Sequence, residues 1–319
     1  MNKQTILVTG GSGFVGVHTI SQLLQKGYTV KTTLRSLSKK ESVINGLKDA
    51  GISNFENLTF FEADLNADAG WKEAVKDCMY VLHVASPFPL VEPDNENELI
   101  IPARDGSLRV LKASRDAGVK RVVLTSSYVA IGYSTNATDH VFTEEDWTDE
   151  NSPIKPYAKS KTLAEKAAWN FIKNEGGGLE LTVINPVGIF GPIIGDIYPA
   201  AFKGAIKPII EGIITENPDI TFGVVDVRDV ANIHIEAMVH PEASGQRFLA
   251  TSDGAVSFYD IAQLIKNERP EKAGKIADLK PTAPALYTKM SNSKAKEVLG
   301  WRPKSKEEAI LASVDTGEK

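Results

Sequence analysis

The stretch VTGGSGFVG, residues 8–16, limits the possible folds more than any other part of the chain. It follows the β-branched run TILVTG (5–10) and opens the helix-like segment VGVHTISQLLQKG (15–27), which closes on a glycine stop signal. Gly10, Gly13 and Gly16 read G-x-x-G-x-x-G, and Gly11, Gly13 and Gly16 also satisfy G-x-G-x-x-G. A strand, a glycine turn and a helix in this order ask for glycine on three counts. The turn is tight, the backbone must approach a pyrophosphate closely, and the helix must sit near its strand. The start of the helix, at Phe14 and Val15, offers unpaired N–H groups and a positive dipole end to the anion. Ser12 lies among these glycines without the G-x-S-x-G spacing of a hydrolase nucleophile.

The same alternation runs through the first half. Strands are expected at 28–35, 58–65, 80–87, 119–127 and 179–186, with a long helix over 98–118 that again ends at glycine. These strands are continuous apolar runs, as burial on both faces requires. After Pro186 the rhythm breaks into a stretch rich in Ile, Gly and Pro. VVDVRDVANIHIEAM then reads as a return to a helix packed on the sheet, GQRFLATS as one more strand, and the tail from about Val256 as mostly helical. GGG at 176–178 reads as a helix stop and turn. The pattern predicts an α/β protein, a Rossmann-type doubly wound parallel sheet with a smaller, discontinuous C-terminal substrate lobe. The dinucleotide-binding domain is expected at 1–187 and 224–252, and the substrate-binding lobe at 188–223 and 253–319.

Composition removes other classes. The net charge of −5 is spread along the chain with no basic block, which argues against nucleic acid and anionic membranes as partners. The longest apolar runs, such as VVLTSSYVAIG, are too short and too polar to span a bilayer. MNKQTILVTGG enters a strand at once and leaves no room for a secretory signal. The single cysteine, Cys78, excludes an internal disulfide framework and fits a cytoplasmic setting. The five histidines are scattered, so no metal is expected.

An NAD-binding domain would carry an acidic residue at the end of the second strand. Here the strand ends TTLRSLSKK, with Arg35, Ser36, Lys39 and Lys40 and no carboxylate. A guanidinium pairs bidentately with a 2′-phosphate, so NADPH/NADP+ is the expected cofactor. In PYAKSKTLAEKAAWNF (156–171), Tyr157 and Lys161 share one face of a helix, on a stripe continued by Ala164, Ala168 and Phe171. They lie between the fifth and sixth strands, near TSS (125–127) at the carboxyl end of the fifth. Reduction of a carbonyl needs a hydride at carbon and a proton at oxygen. A lysine ammonium, aided by the positive oxidised nicotinamide, is expected to lower the tyrosine pKa from ~10, making Tyr157 the general acid in reduction and base in oxidation. A serine hydroxyl would donate to the same oxygen.

VTGGSGFVG, LRSLSK, ADL, LHVASPF, VVLTSSYVA, YAKSKTLAEKAAW, NPVGIFGP and VDVRDVA, in this order, resemble the extended short-chain dehydrogenases/reductases over nearly the whole chain. Within them the chain is most similar to the dihydroflavonol-reductase-like group, which includes NADPH-dependent aldehyde, methylglyoxal and ketone reductases. The resemblance implies Ser127, Tyr157 and Lys161 as the catalytic set, with Ser126 a possible confusion. It implies Asp64 and Leu65 beside the adenine, Ala85 and Ser86 on the ribose side, and Pro186 and Val187 at the nicotinamide carboxamide. HVASP replaces the asparagine motif of the shorter enzymes, leaving a fourth catalytic residue unassigned.

Near the chemistry, the substrate candidates are Phe88, Tyr128, Phe190 and Tyr198, together with Ile189 and Ile193. No arginine falls between Arg121 and Arg228, so these segments lack a guanidinium clamp for a diphosphate. The expected activity is NADPH-dependent reduction of an aldehyde, ketone or α-dicarbonyl, by a monomer or homodimer. A nucleotide-sugar epimerase or dehydratase would hold NAD, against the basic RSLSKK. A non-catalytic NADP(H) sensor or scaffold would have no need of a proton donor. FTEEDWTDEN (142–151) reads as a solvated acidic loop, and His83 as a structural side chain.

Overall fold

The structure is a computed structural model and describes residues 4–87, 93–135 and 139–317. The first half runs β1 (Thr5–Thr9), α1 (Phe14–Gln25), β2 (Thr29–Leu34), α2 (Lys40–Asp49), β3 (Leu58–Glu62), α3 (Trp71–Val75), β4 (Tyr80–His83), α4 (Asn97–Asp116) and β5 (Arg121–Thr125). Then come β6 (Val141–Phe142), α5 (Pro156–Glu175), β7 (Glu180–Pro186), β8 (Gly188–Phe190), α6 (Lys207–Ile210), β9 (Thr221–Asp226) and α7 (Val227–Val239). The chain ends with β10 (Arg247–Ala250), β11 (Ala255–Ser257), α8 (Phe258–Glu268), β12 (Lys289–Met290), α9 (Ser293–Leu299) and α10 (Lys306–Thr316).

Seven strands form one sheet in the order β10-β7-β5-β4-β1-β2-β3, and each neighbouring pair is parallel. Side chains alternate across a strand, so each strand feeds two cores. Ile6 and Val8 of β1 and Val123 of β5 join Val17 and Ile20 of α1 and Val230 and Ile233 of α7. Leu7 of β1 and Val122 and Leu124 of β5 join Trp71 of α3, Val110 of α4 and Phe171 of α5. Two helical layers therefore cover one fully parallel sheet, the Rossmann-type arrangement expected from the alternation. Its strand order reverses between β1 and β4, which opens a crevice at the carboxyl edge.

A third core holds Phe190, Phe202, Ile206, Val256, Ile261 and Val314. It lies on a three-stranded sheet in which β9 pairs parallel with β8 and antiparallel with β11. Distant segments are tied there by hydroxyls. Ser313 Oγ of α10 accepts from Gly191 N at 2.7 Å and donates to Gly191 O at 2.9 Å, and Thr316 Oγ1 accepts from Ile193 N at 2.8 Å. The sequence pattern missed β9, α3 and the short strands of the tail. The tail strands and α3 are too short to show a period, and β9 runs straight into α7, so its residues read as part of that helix.

The C-terminal segment is anchored on α7. The Trp301 ring is buried in the core that holds Val230 and Ile233, and its indole N–H donates to Asp229 O at 3.1 Å. Trp301→Ala is expected to lower unfolding free energy in urea by ~3–5 kcal/mol with an unchanged m-value. A loss below about 1 kcal/mol would show that the tail is not part of the cooperative core.

Candidate active site

The glycine loop lies at the carboxyl end of β1 and fits a pyrophosphate. Gly10 has φ +72°, and a Cβ there would meet the Ala85 backbone at 3.0 Å. At Gly16 a Cβ would stand 2.3 Å from Gly10 O, so α1 can approach the loop this closely only with glycine there. At Gly13 a Cβ would meet Gly10 O alone, at 3.3 Å, and the outer side is open for a ligand. Gly13 is the N-cap of α1, with no side-chain cap and no acidic residue in the first turn. The first N–H groups, those of Phe14 and Val15 among them, lack intrahelical acceptors and face the loop end.

Arg35 follows β2 and is exposed, as is Lys39, and neither makes an ion pair among the described residues. Ser36 Oγ accepts from Ser38 N at 3.3 Å and shapes the turn that carries them. Asp64 and Leu65 follow β3, where Asp64 Oδ1 accepts from Asn66 N at 2.8 Å. Ala85 N donates to Thr9 Oγ1 at 3.0 Å, which draws the end of β4 against Gly10. Pro186 ends β7, and Val187 N donates to Ala250 O at 3.2 Å. All these residues lie at the carboxyl edge of the sheet, around the crevice.

Tyr157 sits in the first turn of α5, after Pro156 at the position where proline's missing N–H leaves no bond unmade. Its half-buried phenol shares a hydrogen bond with the Ser127 hydroxyl. Ser127 is held in extended backbone, and its Oγ accepts from Val129 N at 3.3 Å. Lys161, one turn beyond Tyr157, is 6% exposed. Its ammonium donates to Thr125 O at 2.9 Å and Ser86 Oγ at 3.2 Å. The edge thus brings Ser127, Tyr157, Lys161 and Ser86 together.

The electrostatics differ from the sequence expectation. Burial pushes the Tyr157 phenol up to about 12, and the group that opposes this is Ser127, not Lys161. Burial lowers Lys161 to about 8, with Glu165 pulling it back up. Lys161 is not among the groups that lower the phenol, and its N–H donors go to Ser86 and the carbonyl that ends β5. Tyr157 therefore keeps its proton at neutral pH, and Lys161 is mostly cationic. His83, at the end of β4, is held neutral by burial, with its pKa lowered to about 3, and Nδ1 lies 2.8 Å from Thr9 Oγ1.

The structure separates the two serines. Ser126 Oγ turns away from Tyr157 and donates to Glu165, a wholly buried carboxylate that sequence reasoning missed. Glu165 also accepts from Asn185 Nδ2 at 2.8 Å, Arg247 Nε at 2.6 Å and Trp169 Nε1 at 3.3 Å. A signal was present: Tyr157, Lys161, Glu165 and Trp169 recur every four residues along α5. The acidic loop also departs from the solvated reading. Glu144 is buried and accepts from Leu249 N at 2.7 Å, while the carbonyls of Glu144 and Asp146 accept from Arg247 Nη1 at 2.7 and 2.8 Å.

Of the substrate candidates, Phe88 lies outside the described residues. Phe190 is fully buried and stacks on Phe222 at 6.2 Å, so it supports the lobe from inside and meets no ligand directly. The Tyr128 hydroxyl is buried beside Gly132, with its ring edge-on to Phe142 at 5.8 Å. Tyr198 is half-buried against Phe202 at 5.5 Å.

A phosphate cradle facing a proton donor across the crevice of a parallel sheet is what a dinucleotide-dependent oxidoreductase requires. The chain belongs to the 3-beta hydroxysteroid dehydrogenase/isomerase family, whose sequence pattern matches residues 7–273. Its relatives put it with the dihydroflavonol-reductase-like extended short-chain dehydrogenases/reductases. It is 36% identical to cinnamoyl-CoA reductase CAD2 of Medicago truncatula, over 92% of this chain and 89% of that protein. It is 30% identical to NADPH-dependent methylglyoxal reductase GRE2 of Saccharomyces cerevisiae, over 96% of each. The crystal structure of yeast methylglyoxal/isovaleraldehyde reductase Gre2 with NADPH superposes with a TM-score of 0.85 at 28% identity, covering 98% of both chains.

A pH dependence follows from the Lys161 shift. The cation exists below a pKa of about 8 and disappears above it, whereas Tyr157 stays protonated throughout that range. The kcat/KM for the dinucleotide is expected to be level up to about pH 7.5 and to fall roughly tenfold per unit well above pH 8. A profile level to about pH 10 would show that the Lys161 charge is not used.

Proposed function

We propose that Ser127, Tyr157 and Lys161 carry out carbonyl reduction in this chain, an NADPH-dependent oxidoreductase acting on C=O and CH–OH groups. The observation that carries this reading is the hydrogen bond between Tyr157 and Ser127 one turn from the buried Lys161 ammonium. When bound, NADPH supplies the hydride that reaches the carbonyl carbon. The Tyr157 phenol gives its proton to the carbonyl oxygen, and burial keeps that proton in place until a substrate arrives. Ser127 donates a hydrogen bond to the same oxygen as negative charge develops there. Lys161 has three N–H donors, of which Thr125 and Ser86 take two, so one remains for a hydroxyl of the nicotinamide ribose.

Gly10, Gly13, Phe14, Val15 and Gly16 hold the pyrophosphate, and Arg35 and Lys39 the 2′-phosphate. Asp64 and Leu65 border the adenine; Ala85 and Ser86 line the ribose, and Pro186 and Val187 the nicotinamide. Residues 1–187 and 224–252 form the cofactor domain, and 188–223 and 253–319 the substrate lobe. The substrate is an aldehyde, ketone or α-dicarbonyl with apolar groups, met by Tyr198 and the ring of Tyr128. The names of the methylglyoxal and isovaleraldehyde reductases among its relatives support that class. Among the described residues no helix is long and apolar enough to cross a membrane. The chain is taken as a monomer or homodimer, and a reducing cytoplasm suits its one cysteine, which is buried with its thiol raised to about 11.

NADPH consumption across aldehydes, diketones and ketones tests the reading. Tyr157→Phe is expected to lower the rate ~10²–10⁴-fold with NADPH binding retained. Equal activity would remove Tyr157 from the mechanism. Arg35→Ala is expected to weaken NADPH binding by ~1.5–3 kcal/mol and leave NADH binding nearly unchanged. Equal weakening of both would overturn the 2′-phosphate assignment.

A further inference from the structure

Glu165 poses a physical problem. A carboxylate with no exposed surface is costly, and a buried ion pair with Arg247 does not by itself repay the desolvation of two charges. Besides Trp169 Nε1, its other contacts go to the two side chains that bracket Ser127. Ser126 precedes Ser127 in the chain, and its hydroxyl donates to Glu165 Oε2. Asn185 Nδ2 donates to the same oxygen at 2.8 Å and to the Ser127 carbonyl at 3.1 Å. Ser126 N also donates to Ile184 O at 2.8 Å, so the backbone here is stitched to the end of β7 as well.

The carboxylate is carried by α5, eight residues after Tyr157 and four after Lys161. It therefore joins the helix that bears the proton donor to the strand ends that bear the serine. Arg247 braces it from behind. That guanidinium is 7% exposed, is held by two carbonyls of the acidic loop, and stacks on Trp147 with its centre 3.7 Å from the ring centroid.

We infer that Glu165 is a positioning residue: acting through Ser126 and Asn185, it fixes the Ser127 hydroxyl at the distance from Tyr157 that carbonyl reduction requires. The inference rests on the role given to Ser127 above. Glu165 touches neither substrate nor reacting atoms in this scheme. Its contribution is geometric, and a small displacement of an oxyanion donor is enough to slow chemistry without changing cofactor affinity.

The test is a double-mutant cycle. Ser126→Ala removes one hydrogen bond and leaves the Glu165–Arg247 pair intact, whereas Glu165→Gln removes the carboxylate charge. Each is made alone and with Ser127→Ala, and each is read by thermal unfolding, NADPH affinity from fluorescence titration, and kcat and KM. The expected result is a kcat about tenfold lower in each single variant, with NADPH affinity in Ser126→Ala, which leaves the charge beside Lys161 in place, within about twofold of the parent. Neither change should lower kcat further once Ser127 is alanine. A loss of the same size in both backgrounds would make the role merely structural and overturn the inference. Unchanged kcat in Ser126→Ala, beside a clear loss in Ser127→Ala, would overturn the inference alone. Full activity in Ser127→Ala would remove the Ser127 assignment and the inference with it. If Glu165→Gln does not fold, the Ser126→Ala cycle decides by itself.

Discussion

The arrangement of the site depends on one buried cation. The Lys161 ammonium is clamped between the carbonyl that ends β5 and a hydroxyl just past β4, and it cannot leave them without stranding a charge in the protein interior. That requirement fixes the rotation of α5 about its axis. Once the rotation is fixed, the residue one turn earlier must face the same edge, so Tyr157 arrives at Ser127 as a consequence of where Lys161 is held. The cost is visible in the lysine itself. Holding it charged at neutral pH, with its pKa lowered from 10.5 to about 8, takes roughly 3 kcal/mol from stability.

The cofactor end is set by a different constraint, steric rather than electrostatic. Gly16 lets α1 lie against the loop, and Gly10 lets the loop turn over the end of β4. The helix is thereby aimed with its uncapped N-terminus at the crevice between β1 and β4. Thr9 links the two ends. Its hydroxyl accepts from Ala85 N and meets His83, so the strand that carries the glycine loop also locates the segment leading to Ser86.

Legibility in the sequence followed the range of the interactions. The strands of the main sheet were readable because burial on both faces leaves an unbroken apolar run, and the glycine loop because backbone geometry is local. Tyr157 and Lys161 were readable because helical spacing puts them on one face whatever the rest of the chain does. Glu165 was not singled out, since a glutamate in a helix with lysines nearby looks like a solvated charge. Only Asn185 and Arg247, 20 and 82 residues away in sequence, make it an interior group. The same holds for Glu144, which a run of acidic neighbours disguised as surface. Phe190 looked like a pocket wall until Phe222, from a strand with no pattern of its own, covered it. The direction of the Tyr157 shift was misread for a related reason. Spacing shows that the two side chains share a face but not how far burial outweighs the ammonium at the phenol.

The titratable groups of the site are moved in one direction by one cause. Burial favours the neutral form of each, raising the phenol and lowering the amine, so the two are drawn toward the pair that carries no charge. Glu165 opposes this for the lysine alone, because it lies one turn away on the same helix, where it accepts from Arg247 and three neutral donors. The carboxylate beneath the site is therefore linked to both Lys161 and Ser127. It favours the charged form of Lys161, and through Ser126 and Asn185 its hydrogen bonds reach the segment that carries Ser127. A neutral side chain of the same shape could pack in its place, but it could not do the first of these. That difference is the physical reason for a charge to be kept at this depth despite its cost.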